Sequence, residues 1–450
     1  MPHHRYLKAP VRALAAAVVI AAAAPAAADH SLQAITTLTT GYTDNVQLVP
    51  DNGDPTMTPA VSSDAFANIA PGLVFSHEGA RITQVLRYVL SIRLYAEASG
   101  ANSFSNSVMY GAVIPITPRA GMTGELSASH GRLNAFDTAP QDTPVATQAQ
   151  GDQAYATAAG GLGYNYQLTR SWQYQQSIGG SVYQPLDDTV QIGRRLSADA
   201  GIGLAKTFNF HAFTFTGRGT YTVIDAGDDV LGAQLEDQKT FLIGPELRWV
   251  HDLSQDFSTD AMVGLTVTFP AGEFDQRQEF PVGAAYVRYA HDRFAAAIGY
   301  RRTVATNIIL GETEATHVGE ARGVIPLPFA ERLSMAGAVG YSRGESIGLI
   351  DPVTMEEATA RTTQWVGDLS VAWQATDALS AGLRYQLVRQ DRADPTDMVM
   401  GEERTRRQQI TLVLEGVYPT RQAAELPKDP SSRVDGGLES MAKREDSLLK

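Results

Sequence analysis

The chain of 450 residues has no cysteine, so neither a disulfide framework nor a thiolate metal site is open to it. Past residue 28 it has no apolar stretch near the ~18–20 residues that a membrane-spanning helix needs. Positive charge is in short supply. There are 36 Lys and Arg against 49 Asp and Glu, for a formal net charge of −13. An acidic chain has no electrostatic reason to bind nucleic acid, so no such partner is expected. The nine histidines are scattered, and no His-Glu-x-x-His spacing occurs. No glycine-rich stretch is followed by Lys-Ser or Lys-Thr, so there is no phosphate loop. Neither a metal nor a cofactor is expected.

Residues 1–28 read as a secretory leader. Arg5, Lys8 and Arg12 supply a basic start, Ala13 to Ala24 an apolar run, and Ala26-Ala27-Ala28 a small-x-small cleavage site after Pro25. Removing three basic residues and no acidic one takes the net charge to −16.

After Asp29 the dominant period is two. Ile82, Leu86, Tyr88, Leu90, Ile92 and Leu94 share one parity, and Arg81, Thr83, Arg87, Ser91 and Arg93 the other. Such alternation means a strand with one apolar and one polar face. Eighteen segments of this kind follow, from 33–48 at the start to 404–418 at the end. Each exceeds the ~9–11 residues that a tilted strand needs to cross a bilayer. The connections alternate short and long, the pattern of short periplasmic turns and longer outer loops. The expected fold is therefore all-β: a transmembrane antiparallel up-and-down β-barrel of about 18 strands, with 16 as the nearest alternative count. Residues 29–418 form that barrel, and the Pro-interrupted, charged segment 419–450 is a periplasmic tail able to hold a periplasmic partner.

Two further patterns fit a bilayer. Trp172, Tyr174, Trp249, Phe257, Trp365, Trp373 and Tyr418 lie near strand ends, where aromatic rings meet headgroups. Glycines crowd the strands, as at Gly161, Gly179 and Gly201, where they relieve crowding on a curved wall.

Motifs for chemistry are few. Gly340-Tyr341-Ser342-Arg343-Gly344 has the spacing of a hydrolase nucleophile elbow, but that motif needs a strand-to-helix turn. Here it lies in an alternating strand, so no enzyme activity is expected. Asp225, Asp228, Asp229, Glu236 and Asp237 crowd one outer loop, with Asp44, Asp51 and Asp54 near another. They read as solvated charges, or as carboxylates bridged through divalent ions to lipopolysaccharide.

One charged constellation remains. Arg87, Arg93, Arg218, Arg248, Arg301, Arg322 and Arg384 lie on the polar parity, together with Asp199, Glu246, Glu320, Asp368 and Glu415. An arginine at the bilayer midplane costs ~2–4 kcal/mol, so this face must point inward. There it either lines a pore and selects solutes, or forms an ion-paired wall.

The order Gly41-Tyr42-Thr43-Asp44-Asn45-Val46, Asp64, Pro71-Gly72-Leu73 and Glu78-Gly79-Ala80-Arg81 resembles the start of outer-membrane barrels associated with exosortase and exopolysaccharide loci, and of related porin-like proteins. The resemblance covers roughly the first 70 mature residues. It implies an outer-membrane location and a link to polysaccharide export, and it brings no catalytic residue. The expected function is passive diffusion of small polar solutes or ions through a charged lumen, with polysaccharide export or assembly as the alternative. The expected partners are outer-membrane lipid and lipopolysaccharide, besides the diffusing solutes.

Overall fold

The computed structural model describes residues 29–46, 63–133, 153–186, 194–225, 238–270, 277–291, 294–307, 312–327, 332–347, 349–350, 357–358, 360–393 and 402–418. The expected leader and tail lie outside them.

The strands are β1 (Asp29–Thr43), β2 (Asp64–Glu78), β3 (Thr83–Tyr95), β4 (Ser103–Thr117), β5 (Ala120–Leu133), β6 (Gln153–Gln167), β7 (Trp172–Pro185), β8 (Arg195–Phe208), β9 (His211–Ile224) and β10 (Gln238–Asp252). They continue as β11 (Phe257–Pro270), β12 (Gln278–His291), β13 (Phe294–Asn307), β14 (Glu312–Pro326), β15 (Leu333–Ile347), β18 (Arg361–Thr376), β19 (Leu379–Ala393) and β20 (Glu402–Tyr418). The two-residue strands β16 (Leu349–Ile350) and β17 (Glu357–Ala358) pair only with each other.

All eighteen long strands join one antiparallel sheet, each paired with its sequence neighbours. The sheet closes where β1 pairs with β20, Ala34 opposite Tyr418 and Thr43 opposite Gln409. Closure leaves no edge strand, so the backbone N–H and C=O groups of the wall find partners without water. Followed around the ring, the pairings displace the ladder by about 22 residues. With strands ~4.8 Å apart and ~3.3 Å per residue, that shear tilts the strands by roughly 40° and sets a backbone diameter of about 35 Å.

Register carries the two-residue alternation from strand to strand. One parity presents large apolar side chains to the outside: Ile178, Val263, Ile298, Leu383 and Ile410 are each more than half exposed. The other parity points to the barrel axis and carries the polar residues. The aromatic residues expected at the bilayer boundary all fall on the outward parity. Ser342 of the Gly340–Gly344 motif is buried on the inward face of β15, with no helix after it.

The ends differ from expectation. The first strand runs 29–43 rather than 33–48. Its start is held by β2: the Ser31 and Ser76 hydroxyls are 2.5 Å apart, and the His30 ring stacks on His77. Beyond Thr43 the chain turns, because the Asn45 side-chain amide donates to the Arg406 carbonyl and Asp44 accepts from the Gln408 N–H.

Candidate functional site

Register places the eleven luminal candidates Arg87, Arg93, Asp199, Arg218, Glu246, Arg248, Arg301, Glu320, Arg322, Asp368 and Arg384, and with them Glu415, on the inward face. Most lie in the middle of their strands, so they form a charged belt at mid-depth of the barrel.

Within the belt, opposite charges meet between neighbouring strands. Arg248 on β10 reaches Asp260 on β11, with Nε–Oδ1 2.9 Å and Nη2–Oδ2 2.5 Å. Arg288 on β12 donates to the same Oδ2 at 3.2 Å. The Asp260 side chain is only 5% exposed, so this triad is a packed feature of the wall. Arg384 lies 2.5 Å from Asp368 between β19 and β18, and Arg218 lies 3.8 Å from Glu246 between β9 and β10. Arg87 has no carboxylate at ion-pair distance among the described residues.

The wall is shaped to hold these side chains. A Cβ on Gly179 would sit 2.8 Å from the Asp199 carboxylate, and one on Gly161 would sit 3.3 Å from that of Glu125. Both acidic groups thus lie flat across glycines of adjacent strands. On the other side of the ring the Tyr286 ring covers Gly299, beside Ala295 and Ala297.

Burial rises toward the long-loop end. Arg218 and Arg384 at mid-depth are 59% and 41% exposed. Nearer the loops, Phe66, Tyr183, Arg195 and Arg407 are buried. Arg93 belongs to this upper zone. Its guanidinium lies 5.1 Å over the Phe66 ring, which packs with Val46 and Tyr95. Arg195 lies likewise over Tyr183, which stacks on Tyr155.

Sequence reasoning overlooked Asp260, Arg288, Arg195 and Glu125. Asp260 was readable, since it shares a parity with Thr266 and Thr268. Arg288 was hidden because its parity on β12 is mostly apolar (Phe280, Val282, Ala284, Tyr286). Five histidines lie on the outward face at the short-turn end, His30 beside His77, His211 beside His251 on the opposite side of the ring, and His291 on β12. The His211 and His251 rings stack 4.3 Å apart. Among the described residues no group of three or more metal-ligating side chains forms.

A closed antiparallel ring, apolar outside and charged within, is a transmembrane β-barrel. No known protein family matches the chain by sequence, and no curated protein does either. Among solved structures it is similar to the siderophore receptor PirA from Pseudomonas aeruginosa (9% identity, 86% of this chain and 80% of that one, TM-score 0.45). It is also similar to OccK1 (OpdK) from the same organism (8%, 87% and 99%, 0.45) and to the FrpB iron transporter from Neisseria meningitidis (8%, 86% and 81%, 0.44).

Proposed function

We propose that this protein is an outer-membrane pore through which small polar solutes or ions diffuse passively. The observation that carries the reading is the mid-depth belt. It puts guanidinium and carboxylate groups on the inner wall of a ring about 35 Å across at the backbone, and Arg218 and Arg384 stay solvent-accessible there. Eighteen strands are enough for an aqueous interior. Charges fixed on that wall bias which ions pass. No step requires a bond to be made or broken.

Planar-bilayer recording of the purified protein tests this. The expected result is a steady conductance. In Arg87→Gln, the reversal potential under a salt gradient should shift toward cation preference, because a wall charge without an ion-pair partner is lost. Absence of any conductance would refute the pore. Conductance that appears only after an outer loop is removed would favour the alternative of an export barrel for extracellular polysaccharide.

A further inference from the structure

The lipid-facing surface carries charge where none is needed for the lumen. At the long-loop end of β13 to β20, register turns Arg302, Arg343, Arg361, Arg389, Arg404 and Arg406 outward. Among the described side chains, the carboxylates on the same face are Glu345 and Asp391. Among the described side chains, six guanidinium groups thus meet two carboxylates, in a chain that is acidic overall. At the same end, the arc of β1 to β4 presents Tyr42, Leu94 and Phe104 instead.

The ion pairs leave positive charge over. Glu345 is shared by Arg343 and Arg361, at 2.5 and 3.5 Å. Asp391 is shared by Arg389 and Arg404, at 3.2 and 3.7 Å. Arg389 and Arg406 are direct cross-strand partners. Like charges in that position destabilise a ladder. An anion lying between them turns the repulsion into attraction. Arg302 Nε makes no hydrogen bond among the described residues.

The surface below the arginines is also formed. A shallow apolar groove of about 580 Å³ runs over β12 to β18 from mid-depth to the short turns, where Tyr289 and Phe294 line it. Ala296, Ala321, Gly323 and Gly337 floor it, and Ile298 and Val339 wall it. Tyr341 and Trp365, with ring centroids 4.6 Å apart, stand between groove and arginines. Read from the loop end inward, the face presents cations, then aromatic rings, then exposed apolar side chains such as Val339, Leu369 and Leu383. An amphiphile with an anionic head matches that order. Arginine's planar fork favours phosphate, which it can bind bidentately.

We propose that this face binds the phosphorylated headgroup of an outer-leaflet glycolipid. The proposal rests on the outer-membrane reading above. The occupant is lipid A rather than free phosphate, because the arginines stand on the lipid-facing side above exposed aromatic and apolar side chains.

The test uses the full-length protein in detergent, with lipid A, dephosphorylated lipid A and inorganic phosphate as probes. Retained lipid is counted by native mass spectrometry. Wild type should retain lipid A, with at least tenfold weaker retention in the triple variant Arg361→Gln/Arg404→Gln/Arg406→Gln. Lys239→Gln, outward on β10, should behave as wild type. The triple Arg→Lys variant should recover part of the binding, which controls for folding together with unchanged gel mobility before and after heating. Dephosphorylated lipid A should bind weakly, and excess inorganic phosphate should not compete. Equal retention by the glutamine variant, or by the dephosphorylated lipid, would overturn the site. Full competition by inorganic phosphate would reassign it to a free anion and overturn the lipid assignment. A protein that stays soluble without detergent would instead sink the outer-membrane reading itself, and this site with it.

Discussion

Asp260 shows how much one buried side chain holds. Its carboxylate satisfies two guanidinium groups from opposite neighbouring strands, and all three side chains are largely shielded. Breaking a shielded pair by removing one partner costs about 3 kcal/mol or more, because the remaining charge stays uncompensated. Asp260→Asn should therefore lower the urea midpoint of unfolding, followed by the loss of the fast-migrating folded band on unheated gels. A double variant that also replaces Arg288 with Met should regain part of the loss. If Asp260→Asn left the midpoint unchanged, the triad would be a surface arrangement with no structural role. Gly299 makes the complementary case for space. A methyl there would collide with the Tyr286 ring. Overpacking of this kind costs about 1–3 kcal/mol, so Gly299→Ala should destabilise measurably in the same assay. Gly319, on the outward face of β14, has nothing within 4 Å of a built Cβ, and Gly319→Ala serves as the control. Neither Asp260 nor Gly299 stood out in the sequence. Parity shows which face a residue occupies, but not which residue of the next strand lies beside it.

At the scale of strands and turns, legibility was high for a physical reason. Most strands have an apolar face outside and a polar face within, so alternation runs through most of their length. Where a neighbour rather than the environment fixes the conformation, the pattern failed. Asp29-His30-Ser31 shows no alternation, yet it is strand because Ser76, His77 and Glu78 lie opposite. The two-residue turn between β8 and β9 depends on backbone geometry instead. Asn209 there has φ 49°, and it is the only non-glycine residue with positive φ among the described residues. The left-handed region costs an ordinary L-residue roughly 1–2 kcal/mol, and asparagine and glycine less. Asn209→Gly should fold as well as wild type, whereas Asn209→Val should slow refolding from urea and lower the folded yield. Equal yields for both would show that the turn follows the strands rather than guiding them.

The number of strands was legible at the scale of the whole molecule because long and short connections alternate, which brings both ends of the barrel to one side. The shear was not legible, since it accumulates from pairings that no single segment encodes. That is also why the ion pairs of the belt escaped the sequence: Arg248, Asp260 and Arg288 meet only once three registers are fixed. The same registers align the outward aromatic residues into two levels. Trp172, Trp249, Trp373 and Tyr418 lie toward the short turns, and Tyr42, Tyr341 and Trp365 toward the long loops. The apolar band between such girdles is about 25 Å tall in barrels of this kind. Mismatch with the bilayer carries a modest cost for each ångström. Refolding from urea into vesicles of short-, medium- and long-chain phosphatidylcholine should therefore give the highest folded fraction where the hydrocarbon layer is near that height, and a falling fraction in thicker bilayers. A folded fraction indifferent to chain length would mean that the two aromatic levels do not mark the bilayer boundaries, and that the outward arginines beyond the upper level do not stand at a lipid headgroup.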